Sequence, residues 1–592
     1  MTDASILSPV ASAVVTIGGI DAPSPISVQG GEYQVDDGNY RATAGTVAQG
    51  AKVRVRVSAS SSEGETTSAV LTVGGVSAAF AVTTSGTRVA ANKTVGCPAD
   101  TACPGTSFNS LQELAPTLKG GDVVDVYARG TPYAAVEFTK AGTLASPILL
   151  RGISVDGRRP VIEGGASNAT HYSAVSFEGA SYMTLDSFEV TNGINRRVNG
   201  TITNTMYYPQ FHQCIRNAAH QVTLKNVLVR DCPNNGVFAV DRNSGTLTLD
   251  RVEITRSGCV PGLNGMKCDD GSHPVYVATD PHRYPDSKLL ITRSFIHDNH
   301  AGVTIKSRAR RLELHYNWVL LADSNEVQAV GVFGHDVTDG DAPRQASLQN
   351  PVHADIVGNV FLVDGLTTQA NAVIRSGGDF APQDTENANT YGRTRLVNNT
   401  MVLTGDFGKG VRSRPIVRLF GKPEGLMAFN NMALVADRAN GKVVFLHEDS
   451  SFPVVWAAAD GKPRVQMSHN LVPNGSFAWS GRDTVNKGIG SAPPEGFAWS
   501  NWLTQETSLL GATSDLKTVT AAQLRLAAAS SLRGTGSTST NPTRHPMDAS
   551  TPYDLPQALA LPLFNAIEFS GGIALPGAAR IDGGAPTPGA FD

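Results

Sequence analysis

From about residue 180 the chain repeats one pattern: alternating apolar and polar residues, a turn residue, then a short apolar run. Met183-Thr184-Leu185-Asp186-Ser187-Phe188-Glu189-Val190 shows it in full. Val222-Thr223-Leu224-Lys225-Asn226-Val227-Leu228-Val229 and Leu247-Thr248-Leu249-Asp250-Arg251-Val252-Glu253-Ile254 repeat it. Further copies cover 290–296, 314–319, 356–361, 396–401, 428–433 and 468–471. Alternation with period two marks strands, and self-similarity at steps of tens of residues marks a solenoid. Anchored on the turn position, the copies fall at 187, 226, 251, 293, 317, 359, 399, 431 and 470, with steps of 24 to 42 residues. The shortest steps match one compact coil, so the longer ones predict loops inserted at a corner. A unit that cannot bury its own apolar face is buried by stacking on the next. Asn at that corner is expected to take the left-handed conformation and stack into a ladder, as scaffold rather than site.

Residues 10 to 86 carry a different pattern. Val14-Val15-Thr16-Ile17, Lys52-Val53-Arg54-Val55-Arg56-Val57 and Ala69-Val70-Leu71-Thr72-Val73 are short strands. Turn-forming residues such as Gly30-Gly31 and Asp36-Asp37-Gly38 separate them, the signature of a β-sandwich. The expected division is an accessory sandwich over 1–86 and a solenoid over 87–592. The first part resembles the immunoglobulin- or fibronectin-like modules attached to bacterial surface and secreted enzymes.

Ahead of the first coil stand Phe108-Asn109-Ser110-Leu111-Gln112-Glu113-Leu114 and Leu118-Lys119-Gly120-Gly121-Asp122-Val123-Val124. A short helix, a Gly-Gly-Asp turn and a strand predict a cap over the open end of the stack. This entry, over roughly residues 105–165, resembles that of β-helical polysaccharide lyases of the chondroitinase B and alginate lyase group. The later coils also resemble a broader group of bacterial β-helix proteins. The resemblance implies an all-β fold: a right-handed parallel β-helix preceded by a small N-terminal β-sandwich.

Composition narrows the function. Charged residues make up 17% of the chain, against about 25% in an average soluble domain, and the net charge is −4. There is no chain-wide basic footprint for nucleic acid. No run of apolar residues is long enough to cross a membrane. The first 20 residues show no signal peptide. The six cysteines fall into close pairs, Cys97 with Cys103, Cys214 with Cys232 and Cys259 with Cys268, which suits disulfides in an oxidising compartment. The expected setting is therefore secreted, periplasmic or cell-surface, and the expected state a monomer.

Candidate chemistry concentrates in His297-Asp298-Asn299-His300-Ala301-Gly302-Val303-Thr304-Ile305-Lys306-Ser307-Arg308-Ala309-Arg310-Arg311. Strand alternation turns Val303 and Ile305 inward and Thr304 and Lys306 outward. The Lys306-Ser307 pair is similar to the segment that carries the catalytic-base lysine in the lyase group, and Lys306 is the matching position. Eliminating across a uronate requires neutralising its carboxylate, removing the adjacent C–H proton and supplying a proton to the leaving oxygen. Crowding by like charges fits a lysine for the base's role, while arginine stays charged and clamps carboxylates. The family's second catalytic residue, an arginine one coil later, has no counterpart in 346–351, where Leu348 or Gln349 takes its place. In expected register lie Arg375 two coils on and Arg418 a coil later. With His297 and His300 they are the candidate substrate-binding residues.

One coil earlier, Cys268-Asp269-Asp270-Gly271-Ser272-His273-Pro274-Val275-Tyr276 brings acids, a histidine and a tyrosine toward the same column, with Tyr276 expected beside Thr304. His273, Tyr276, Lys306 and Arg308 form the candidate catalytic set. Asp269, Asp270 and Asp280 keep open a hydrolase with paired carboxylates. A calcium ion at Asp269 and Asp270 is the one cofactor the sequence leaves open. The expected activity is depolymerisation of an acidic, uronate-containing polysaccharide by β-elimination. The alternatives are a β-helical glycoside hydrolase and a non-catalytic glycan-binding surface protein.

Overall fold

The computed structural model describes residues 9–29, 31–36, 44–59, 66–84, 89–164, 173–191, 213–258, 272–300, 302–334, 352–377, 392–409, 414–420, 425–438, 440–448, 465–481 and 486–505, with shorter stretches between and beyond them. The described chain divides into two compact units, the first running to Ala90 and the second starting at Ala91.

The first unit is a sandwich of two antiparallel sheets. In Lys52–Ser58, Val53, Val55 and Val57 are buried while Lys52 and Arg54 point away, as period-two alternation requires. Val55, Val57 and Ala59 pack against Ala69 of Thr66–Val73 and Val82 of Val76–Thr83, closing a core between the sheets.

The second unit is a right-handed parallel β-helix of three long sheets. Among the described residues the first sheet has 14 strands and the second and third have 12 each. Each repeat that looks like one strand in the sequence is two. Met183–Asp186 lies in the first sheet and Glu189–Thr191 in the second, and Ser187 turns the corner between them with φ +69°. The same left-handed corner recurs at Asn226, Arg251, Arg293, Tyr316, Asn398, Asn430 and His469. The anchor positions from 317 onward are therefore one residue late, and the asparagine ladder does not form the way the sequence suggested.

The ladder asparagines follow the left-handed residue instead of occupying it. Asn317, Asn359, Asn399, Asn431 and Asn470 are buried, and each amide donates to the next: Asn317 Nδ2 to Asn359 Oδ1 at 2.9 Å, then 3.0, 2.9 and 2.8 Å along the stack. Ser294 joins it through its backbone N, which donates to Asn317 Oδ1 at 3.0 Å. In the earlier coils the same slot holds Phe188, Val227 and Val252, all in the apolar core. Stacked amides satisfy one another and stacked apolar residues bury one another, so either set can line the corner.

A short helix, Leu111–Leu114, stands ahead of the first coils. It is capped by Ser110, whose side chain accepts from Glu113 N, and Leu111 and Leu114 are buried on the core. Gly121, with φ +86°, turns the chain into Val123–Tyr127. Disulfides join Cys97 to Cys103 and Cys214 to Cys232, with Cα separations of 6.1 and 5.5 Å. Cys259 and Cys268 lie outside the described residues. Among the described residues no helix is long and apolar enough to cross a membrane.

Candidate functional site

Gly302–Arg308 is a strand of the third sheet. Ile305 belongs to the apolar interior, so Thr304, Lys306 and Arg308 fall on the opposite, outer face. Lys306 is nonetheless only 8% exposed, which makes it a covered outer residue and not a solvated one.

The strand register sets its neighbours. Tyr276 pairs with Lys306, not with Thr304 as the sequence suggested, and Phe238 and Arg216 continue the column on the two preceding strands. One coil after Lys306 the partner is Gly331, followed by Arg375, Arg418 and His447. The expected match at 346–351 lies outside the described residues. A Cβ on Gly331 would stand 2.4 Å from Phe333 Cε2 and 2.7 Å from Cζ. The missing side chain makes room for the Phe333 ring to lie in the column.

Cations and rings therefore alternate along this face. Lys306 Nζ is 4.9 Å from the centre of the Tyr276 ring and 5.5 Å from that of Phe333. The Arg375 guanidinium is 5.7 Å from Phe333 and 4.3 Å from Phe420, and Arg418 is 4.8 Å from Phe420. Toward the N-terminus Tyr276 meets Phe238 edge to face at 5.6 Å. A cation over a ring is held by the ring quadrupole. Arg308, 2% exposed, donates from Nη1 to the Gly334 carbonyl and lies 5.9 Å from the Phe333 ring.

His273 belongs to the same neighbourhood. It is 1% exposed, its Nδ1 accepts from Val303 N at 3.1 Å, and its ring meets Tyr276 edge to face at 5.4 Å. Burial, together with the charges of Lys306 and Arg308, pushes its pKa well below the ordinary histidine value. The same nitrogen lies 3.2 Å from the Val303 carbonyl, and among the described residues the buried Nε2 has no hydrogen-bond partner.

His297 and His300 stand apart from the column. His297 ends Phe295–His297 in the second sheet, where Nε2 meets Glu253 Oε1 and Nδ1 meets Asp298 Oδ2, both at 2.9 Å. His300 lies in the turn between the two sheets, 3.4 Å from Asp323 Oδ2. Asp280 accepts from the backbone of Asn243 and Arg283 at a turn. Asp269 and Asp270 lie outside the described residues. Among the described residues no group of three or more His, Cys, Asp or Glu is placed to hold a metal ion. Sequence reasoning missed Phe238, Phe333 and Phe420. Only Gly331 flags Phe333 in advance, as the one position in the column that could admit a ring from a neighbouring residue.

The geometry defines a class, a parallel β-helix with a cation–aromatic strip on one outer sheet face. No family model and no curated protein matches the chain. Among solved structures it is similar to an alginate lyase from Paenibacillus sp. str. FPU-7, with 14% identity over 62% of this chain and 98% of that one and a TM-score of 0.33. It is also similar to a PL6 family polysaccharide lyase from Pseudopedobacter saltans, with 11% identity over 66% and 89% of the two chains and a TM-score of 0.30. Likenesses this distant carry no argument about activity. The fold rests on the strand register.

Proposed function

We propose that the protein is an exported enzyme that cuts an acidic, uronate-containing polysaccharide by β-elimination at Lys306. The observation that carries this reading is the single column Tyr276–Lys306–Arg375–Arg418 on the outer face of the third sheet. Strands about 4.8 Å apart let residues on successive coils address one sugar or its neighbour. Arg375 and Arg418 hold carboxylates. Acting as the base, Lys306 takes the proton beside the carboxylate. Those electrons form the ring double bond as the bond to the leaving glycosidic oxygen breaks, and the Tyr276 hydroxyl gives that oxygen a proton. Arg308 holds the end of the strand through Gly334, and neutral His273 fixes the Tyr276 ring beside Lys306.

A non-catalytic glycan-binding role is favoured by one observation: the coil after Lys306 offers Gly331 and a phenyl ring where a second cation would assist. A panel of alginate, pectate, glycosaminoglycans and bacterial exopolysaccharides separates the readings. A lyase generates the ultraviolet absorbance of an unsaturated uronate. A hydrolase generates reducing ends without that absorbance, and a binding protein generates neither while still retaining the polymer. Absence of the new absorbance on every uronate polymer that the protein retains would sink the elimination reading.

A further inference from the structure

We propose that Phe238 and Tyr276 form a sugar-stacking platform on the N-terminal side of Lys306, so that an acidic chain is gripped on both sides of the base and cut internally. The inference rests on the lyase reading and adds to it where along the chain the cut falls. Phe238 and Tyr276 are register partners on adjacent strands, and both rings are partly exposed. They cross edge to face with an interplanar angle of 68°. Two large, partly exposed rings on an enzyme's outer sheet suit the apolar C–H face of a pyranose, since a ring buries much area at little entropy cost.

Charge along the strip is lopsided in a way that fits. Beyond Phe238 the next residue, Arg216, is bound through Nε to Glu178 Oε1 at 2.8 Å, so that pair adds no net charge there. On the other side of Lys306 stand Arg375 and Arg418, two and three coils on. The acidic chain is thus held by stacking on one side and by carboxylate pairing on the other. One pyranose of an extended chain advances by close to one strand spacing, about 4.8 Å. From Phe238 to Arg418 the column crosses six strands, and Lys306 is the third of them.

The test uses the full chain in a Lys306→Ala background, which holds substrate without turnover. Oligouronates of two to six sugars, prepared from polymannuronate, polyguluronate and polygalacturonate, are titrated by calorimetry. Affinity is expected to climb with length, and Phe238→Ala should weaken the hexamer about tenfold while leaving the dimer within about twofold. Phe238→Trp, which restores a ring, should recover the hexamer affinity and so separates lost stacking from a damaged fold. The parent should lower polymer viscosity before small products accumulate. If Phe238→Ala binds the hexamer as tightly as its background, or the smallest products appear from the start, the platform is wrong and the lyase reading stands. If no oligouronate is bound or cut, both readings fall.

Discussion

Lys306 and Tyr276 are register partners one coil apart, and the lysine nitrogen lies 4.9 Å from the centre of the tyrosine ring. With Phe333 on its other side at 5.5 Å, the ammonium is fixed between two rings instead of ranging through solvent. A tyrosine hydroxyl and a lysine amine brought together this way can serve opposite ends of one elimination. The pairing also makes Lys306 part of the packing.

Lys306→Met tests those two roles separately. Methionine keeps the unbranched stem between the rings and removes the nitrogen, so the loss of stability should stay within about 0.5–2 kcal/mol, the worth of the cation–π contacts. Turnover should disappear. Denaturant melts and the absorbance assay, run on the same preparation, check both. A stable, fully active Lys306→Met enzyme would show that the base lies elsewhere.

Gly331→Ala should be costly although alanine is small. Its Cβ would meet Phe333 at 2.4 Å and Val303 Cγ1 at 3.0 Å, so the ring must leave the column or the strand must shift. Overpacking of this kind costs about 1–3 kcal/mol. Because Phe333 also packs against Lys306 and Arg375, substrate affinity should fall with it. An unchanged melting curve together with unchanged affinity would mean that the ring has room to move.

The fold was legible in the sequence because a solenoid writes its period into every coil. Met183 and Leu185, Val222 and Leu224, and Leu247 and Leu249 all turn inward at matching positions. Corner phase was harder to see. Arg251 and Arg293 hold the left-handed position in early coils, whereas Asn317 and Asn359 follow it in later ones, and only backbone dihedrals separate the two cases. The placement of Lys306, Arg375 and Arg418 on one column followed from counting within strands. Loop length does not fix where a returning strand begins to pair, so the sequence places Tyr276 beside Thr304, two residues from its partner Lys306. His297 drew notice as part of a basic run. Its partners Glu253 and Asp298 make it a clasp within the second sheet, and the sequence gives no sign of a contact 44 residues away.

His297 should make stability fall above neutral pH. Burial opposes its charge, but hydrogen bonds and Coulombic attraction from Asp298 and Glu253 outweigh that and raise its pKa. A histidine raised on folding contributes stability that is fully present below the unfolded value, about 6.5, and is lost as pH rises through the folded value. Denaturant midpoints of the parent should therefore drop from pH 6.5 upward. His297→Gln should lack that component of the slope, and parallel curves for the two proteins would rule the clasp out.

Glu326 acts with the same sign, starting at a lower pH. It is fully buried, and burial pushes its pKa from 4.5 up to about 8; hydrogen bonds from Asp323 N and Ala322 N oppose the shift, and the charge of Asp323 adds to it. A carboxyl raised on folding is most favourable below about 4.5, and its contribution disappears as pH climbs through about 8. Glu326→Gln imitates the protonated form and should flatten the fall in stability between those limits. Equal slopes in parent and variant would mean that Glu326 ionises in the fold as easily as in the unfolded chain.

Two neighbouring asparagines, Asn398 and Asn399, should respond very differently to alanine. Asn399 accepts from Asn359 N and Nδ2, both at 3.0 Å, and donates to Ile356 O at 2.8 Å and Asn431 Oδ1 at 2.9 Å. Alanine there strands several buried groups at about 1–3 kcal/mol each, so Asn399→Ala should cost about 3 kcal/mol or more. Asn398 turns the corner with φ +55°, and its amide donates to Gly589 O at 3.3 Å. Alanine at 398 chiefly adds left-handed strain, about 1–2 kcal/mol. Chemical denaturation of the two variants should rank 399 well above 398. The reverse order would mean that the corner conformation, and not the amide ladder, holds the coils in phase.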